Sequence, residues 1–445
     1  MPASTTTARA AALQALQRID EGAFVNLELQ SWFRRCPHWE AQDRSLFTEL
    51  LYGTVRWQYY LDHFLARWSS QALDHLEKPV LAALRLGLYQ IRFLNGIPDH
   101  AAVAETCEVL KQVLPRAVGY ANAVLRKATR ETAWVVQAPK ESVLWLAISY
   151  SHPEWLVQRW LKRWGYAETE QMLTDNNNAP LLWLRENRIK KAEHSQDILH
   201  AEGVRTVSGL PEAYGLEGVA LRTIQPDIDN GSLTVQDLSA MLMAHILAPK
   251  PGQKVLDLCA APGGKSCQMA ELMEDQGRVV AIDLHPHRVE LIQAQAKRLN
   301  LSIVEAVCHD AQKPWREGEF DRVLLDAPCS GTGVLRRKVD ARWSKSPEQL
   351  VELQKLQRSL LHTARKAMKP GGYMLYSTCS LEAEENEANI RWLLGQYPEL
   401  KLTPFEHPAL THVEGPSLGY MTVTSRWNES DGFFMALFQL PSDES

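Results

Sequence analysis

Several things are scarce in this sequence, and each scarcity closes off a class of function. Its seven cysteines (Cys36, Cys107, Cys259, Cys267, Cys308, Cys329, Cys379) are an odd, scattered set without a C-x-x-C pair. A disulfide framework and a zinc site both call for closer spacing, so these are expected to be reduced thiols, with no metal. No apolar run has the length a bilayer needs, and Met1 leads into an amphipathic pattern without an apolar signal core. A cytoplasmic protein with no membrane partner is expected. Positive charge is not in excess either: the formal net charge is −5, so any nucleic-acid contact must come from local basic patches. What is present, 45% hydrophobic and 23% charged residues over 445 positions, suffices for two or three domains with sizeable cores.

The chain is organised around Lys254 to Lys265, Lys-Val-Leu-Asp-Leu-Cys-Ala-Ala-Pro-Gly-Gly-Lys. Its apolar start predicts a buried strand, broken at Ala-Pro-Gly-Gly before a helix-compatible run to Met273. Two glycines at the start of a helix let backbone come close to a ligand and offer it unpaired N–H groups. The spacing is neither G-x-G-x-x-G nor that of a P-loop. Arg278 to Asp283 predicts a second strand ending in an acid twenty residues after Gly263. In nucleotide-binding βαβ units an acid at that place holds ribose hydroxyls, so a nucleoside cofactor is expected.

Residues 8 to 130 carry helical periodicity throughout. Ala8, Ala11, Ala12, Ala15, Leu16 and Ile19 make one apolar face, and further helices are predicted over 43–68, 78–94, 99–114 and 117–130. Arg116, Arg126, Lys127 and Arg130 suit either RNA phosphates or a solvated face, and His100 is read as a surface or capping histidine. A helix is predicted from His152 through Trp164, with its tryptophans packed. Leu181 to Arg185 and Val204 to Val207 read as strands, Gly209 to Gly218 as turn, and Gly231 to Ala240 as the start of a helix. Three segments follow: helical 1–135, a small α+β subdomain over 150–246, and an α/β core over 247–445.

In that core, strands are predicted over 302–307, 320–326, 373–380 and 432–440, and helices over 287–299, 347–368 and 382–394. Alternation of this kind implies a parallel, doubly wound sheet with its ligand crevice at the carboxyl ends of the strands. Cys259, Asp283, Asp310, Asp326 and Cys379 all fall at such ends, and Cys329 follows closely after one. A thiol of pKa about 8.5 serves as a nucleophile only where a helix N-terminus, a cation or the ligand stabilises its anion. Addition of a thiolate to carbon 6 of cytosine makes carbon 5 nucleophilic toward an electrophilic methyl, and an acid near N3 helps.

Asp257-Leu-Cys259-Ala-Ala-Pro-Gly-Gly-Lys265, Asp326-Ala-Pro-Cys329-Ser-Gly-Thr-Gly333 and Ser377-Thr-Cys379-Ser380 closely resemble the three signature motifs of the RNA cytosine-5 methyltransferases. The helical N-terminal segment resembles the NusB-like domain that the bacterial 16S rRNA branch, the RsmB type, carries ahead of its core. The resemblance spans nearly the whole chain. It implies an α/β fold: a class I methyltransferase core, Rossmann-like, preceded by an all-α NusB-like domain and the small α+β subdomain. It also implies S-adenosyl-L-methionine as cofactor and 16S rRNA or a small-subunit precursor as partner of a monomeric enzyme. Cys259, Ala260, Ala261, Pro262, Gly263, Gly264 and Lys265 would surround the methionine part, Asp283 the ribose, Asp310 the adenine, and Asp326 the space between methyl donor and cytosine. Cys379 would be the attacking thiol and Cys329 the thiol that assists product release; without the resemblance the order of the two stays open. Arg336, Arg337, Lys338, Arg342 and Trp343, a basic run with an aromatic, are expected to touch RNA. The same chemistry on tRNA, and a non-catalytic RNA-binding assembly factor, are the rival readings.

Overall fold

The computed structural model describes residues 6–131, 133–219, 221–411 and 413–442. They form two compact units, one running to Asn178 and including Leu335–Lys345, the other made of Ala179–Val334 and the chain from Ser346 onward.

The first unit is helical: α1 (Ala8–Asp20), α2 (Val25–Arg35), α3 (Ala41–Arg56), α4 (Gln58–Trp68), α5 (Lys78–Phe93), α6 (Asp99–Val113), α7 (Val118–Arg130), α8 (Val143–Ser149) and α9 (Glu154–Asp175). The hydroxyl of Thr7 caps α1 by accepting from the Ala10 amide at 3.2 Å. The expected face of Ala8, Ala11, Ala12, Ala15 and Leu16 is buried. The run expected as one helix over 43–68 is two, divided at Trp57 (φ −99°, ψ 11°), whose ring stacks on Phe93 at 4.6 Å. Trp160 in α9 is fully buried, a packing residue as its pattern suggested, and His100 is exposed.

Residues 150–178 belong to this helical unit, so the segment expected as one subdomain over 150–246 is shared between the two units. Its remainder opens the second unit with β1 (Leu182–Glu186), β2 (Arg205–Val207), β3 (Leu210–Leu216) and β4 (Leu233–Val235), an antiparallel sheet in the order β2-β3-β1-β4. Helices α10 (Gln196–Leu199) and α11 (Leu221–Asp229) lie between these strands in sequence. The stretch 209–218 is therefore mostly strand and not turn. Gly209 and Gly218 do have positive φ (81° and 68°), but Gly215 sits within β3, where a Cβ would meet Leu181 at 2.8 Å. That glycine makes room for a neighbour; it does not bend the chain. Residues 231–240 likewise hold β4 before α12 (Leu238–Leu247), which Asp237 caps.

The large sheet contains β5 (Lys254–Asp257), β6 (Arg278–Asp283), β7 (Val304–Cys308), β8 (Phe320–Asp326), β9 (Met368–Thr378), β10 (Lys401–Leu402), β11 (Tyr420–Val423) and β12 (Phe433–Gln439). Its order is β10-β12-β9-β8-β5-β6-β7, with β11 also on β12. The centre is parallel and β12 runs antiparallel to β9. Period two sorts its side chains. Val255, Val279, Leu324 and Leu375 pack on one face with α12 and with α13 (Gly264–Leu272), which the end of α14 (Pro286–Arg298) joins through Ala296. Leu256, Val280, Val323, Leu325, Met374 and Tyr376 pack on the other with α15 (Pro347–Ala367) and α16 (Glu387–Gln396). Buried on both faces, the central strands are continuous apolar runs, which is why the sequence showed them. Two boundaries moved: β9 starts at Met368, five residues early, and α16 starts at Glu387, because 382–386 form turns whose side chains are used elsewhere.

Candidate active site

Strand β5 ends at buried Asp257, which accepts from the Ser266 hydroxyl on α13 at 2.7 Å; burial pushes its carboxyl up to about 6. The loop 259–263 then folds on itself. The Ala260 amide donates to Ile282 O at 2.9 Å and the Gly263 amide to Ala260 O at 2.7 Å. Gly263 adopts φ +104° at the N-terminus of α13, and a Cβ there would lie 3.1 Å from Ile292 Cα on α14. Only glycine allows both the turn and the approach. The first amides of α13 lack intrahelical acceptors and follow directly on the strand-end loop. Burial pushes the Cys259 thiol well up, so it lines the loop as a neutral group.

Asp283, at the end of β6, is 3% exposed. It accepts from the Ala261 and His285 amides at 3.3 Å each and lies 3.4 Å from Arg288 Nη1. These contacts are long and leave its oxygens lone pairs for a vicinal diol. Asp310, beyond the end of β7, is partly exposed and accepts from the Gln312 amide at 3.0 Å. At the end of β8, Asp326 receives Lys265 Nζ at 2.6 Å and the Ser377 hydroxyl at 3.2 Å. Burial alone would lower Lys265, but the carboxylate of Asp326 outweighs it and holds the ammonium above the ordinary lysine range. The structure thus brings Asp257, the loop 259–265, Asp283, Asp310 and Asp326 to the carboxyl end of one sheet. Carboxylates and helix-start amides gathered at the strand ends suit a nucleoside carrying a positive centre.

Cys329 and Cys379 follow β8 and β9, adjacent parallel strands, and their sulfurs are 2.9 Å apart. Both are free thiols. The hydrogen bond to Cys379, then burial, pushes Cys329 well above the ordinary thiol range. The two thiols share one hydrogen bond, in which either sulfur can be the donor.

The expected RNA run needs correction. Arg342 is 1% exposed, and its guanidinium donates to the carbonyls of Arg56, Ser151 and Asn176 and to Asn177 Oδ1. Arg336 is 5% exposed and donates to Asp175 O at 3.1 Å, and the Trp343 indole donates to Val55 O at 2.8 Å. These three tie Leu335–Lys345 into the helical unit and are not free to meet a phosphate. Arg337 is half-buried; Lys338 is exposed. Sequence reasoning also missed Glu385, wholly buried beside both cysteine loops. The signal available was the acid cluster Glu382-Ala-Glu384-Glu385-Asn386-Glu387 directly after the Thr-Cys motif.

Among the described residues no helix is long and apolar enough to cross a membrane. Residues 244–439 match the family model for the 16S rRNA methyltransferase RsmB/F, 6–130 that of the NusB family, and 152–221 that of the RsmF/B-like ferredoxin-like domain. The chain is 35% identical to the probable ribosomal RNA small subunit methyltransferase B of Bacillus subtilis, over 97% of this chain and 98% of that one. It is 37% identical to ribosomal RNA small subunit methyltransferase B of Sodalis glossinidius, over 89% of each. A solved methyltransferase homolog protein from Pyrococcus horikoshii, 26% identical, superposes with a TM-score of 0.57 over 68% of this chain and 99% of that one.

Proposed function

The chain belongs to the RsmB/F family of ribosomal RNA small-subunit methyltransferases, and from that premise we propose that it methylates carbon 5 of a cytosine in 16S rRNA through a covalent bond from Cys379 to carbon 6. The observation that carries this reading is the contact of two thiols, 2.9 Å apart, at strand ends beside the Lys265–Asp326 pair. When bound, S-adenosylmethionine supplies an electrophilic methyl group. The residues of the chain do the rest.

Carbon 5 of cytosine is a weak nucleophile until a thiolate adds to carbon 6, which forms an S–C bond and moves the π electrons toward carbon 5. Lys265 is close enough to Cys379 for their charges to interact, and its ammonium favours the anion at that sulfur. Cys329 lies within hydrogen-bond reach of that sulfur. The nearby ammonium favours Cys379 as the attacking thiol. Asp326, between the cofactor loop and the thiols, holds the proton that N3 of the adduct carries. The carbon 5 proton then passes to solvent water, its C–H electrons restore the C5=C6 bond, and the S–C6 bond breaks to return Cys379 as a thiolate, a departure that Cys329 assists by hydrogen-bonding the sulfur. Asp283 binds the ribose hydroxyls, Asp310 the adenine side, and the loop 259–265 the methionine part. The target cytosine must leave its stack for both of its faces to be reached. Of the basic run, Lys338 is the exposed cation left to meet a phosphate.

The test is methyl transfer from labelled S-adenosylmethionine to 16S rRNA made without modification. Wild type should form 5-methylcytosine, Cys379→Ala should form none, and Cys329→Ala should accumulate a protein–RNA adduct. Transfer to tRNA alone would overturn the substrate, and no cofactor binding would overturn the enzyme.

A further inference from the structure

Glu385 is fully buried and lies outside every step described above. Its carboxylate takes donors from both cysteine loops and from a third element. One oxygen accepts from the Ser330 amide at 2.9 Å and from Gln357 Nε2, on α15, at 2.8 Å. The other accepts from the hydroxyls of Ser330 and Ser380. Ser330 follows Cys329 and Ser380 follows Cys379, so one side chain grips the residue after each thiol. Gln357 Nε2 also donates to Pro328 O at 2.9 Å, which fixes the residue before Cys329.

We propose that Glu385 is a positioning residue that sets the register of the Cys329 loop against the Cys379 loop. A buried carboxylate with four donors needs no explanation beyond its own solvation; the informative fact is where the donors come from. The β8–β9 pairing ends at Asp326 and Ser377, and beyond it the two loops meet through the Gly333 amide on Cys379 O at 2.9 Å and the Ser330 hydroxyl on that of Ser380 at 3.0 Å. Glu385 is the side chain that bonds both loops at once. The inference rests on the proposed roles of the two thiols, but its first test does not need methyl transfer.

Oxidation of the two thiols to a disulfide by diamide, which is itself reduced to the hydrazine, reads the register of the loops directly when followed by peptide mass spectrometry. The disulfide should form about tenfold more slowly in Glu385→Asp than in wild type, because Asp is one methylene too short to hold both loops. An unchanged rate overturns the proposal. In methyl transfer the same variant should lose about tenfold or more in kcat with KM for RNA unchanged, and full kcat overturns the proposal. Should that variant fold poorly, Ser380→Ala removes one donor and leaves the carboxylate with three; it should lower kcat and not KM, and unchanged kcat counts against the proposal. If wild type forms no 5-methylcytosine, the functional reading fails while the disulfide result still decides the role of Glu385.

Discussion

Asp257 illustrates how a single residue in this site trades stability for chemistry. Burial lifts its carboxyl from an ordinary 3.8 to about 6, against the opposing pull of Ser266 and Lys265. Between those values the unfolded chain releases its proton before the folded chain does, so wild-type stability falls as pH rises through that window and stays reduced above it. Asp257→Asn lacks this dependence. The difference in unfolding free energy, variant minus wild type, should therefore be larger at about pH 7.5 than at about pH 4.5, by on the order of 2 kcal/mol. A difference independent of pH would contradict the burial argument. At this scale the sequence was readable where an acid or thiol ends an apolar run, as for Asp283, Asp326 and Cys379. It was not readable for Glu385, whose donors come from positions 330, 357 and 380 and leave no periodic trace. Arg342 misled for a related reason: a basic residue in a polar run looks solvated, and its burial depends on carbonyls supplied by residues 56, 151 and 176.

At the scale of elements, β5, β6 and β8 were legible because a strand covered on both faces must be apolar throughout. β3 was hidden by turn-type residues, Gly209 and Gly218 beside it and exposed Pro211 and packed Gly215 within it, and α16 was started early because Glu382–Asn386 are helix-compatible residues engaged in side-chain bonds. One loop crossing matters most for catalysis. The Gly333 amide donates to Cys379 O at 2.9 Å, and Gly333 O accepts from the Gly432 amide at 2.8 Å. A Cβ on Gly333 would lie 2.2 Å from Gly432 O and 3.0 Å from Cys379 O. Backbone, not a flexible side chain, would have to move. Gly333→Ala should keep its far-ultraviolet circular dichroism while losing about 100-fold in kcat, because the Cys379 loop shifts relative to Cys329. Wild-type kcat in that variant would show that the crossing does not set the thiol geometry.

Across the whole molecule, the catalytic unit is interrupted by eleven residues, Leu335–Lys345, that belong to the helical unit. The insertion leaves the sheet directly after the Cys329 loop, so the helical unit is tied to the active-site chain by sequence as well as by the linker before β1. Family-level organisation was legible from three motifs and a helical periodicity; the crossing of the chain between units was not, because nothing in residues 335–345 distinguishes a strap from a surface loop. The central claim is that one particular sulfur bonds to carbon 6. It is tested most directly with 16S rRNA containing 5-fluorocytosine, incubated with wild-type protein and S-adenosylmethionine. Fluorine cannot leave carbon 5 as a proton does, so the S–C6 bond should persist. The account predicts an adduct stable to detergent whose digest carries the RNA fragment on the peptide holding Cys379. An adduct on Cys329, or none from protein that methylates ordinary RNA, would contradict it.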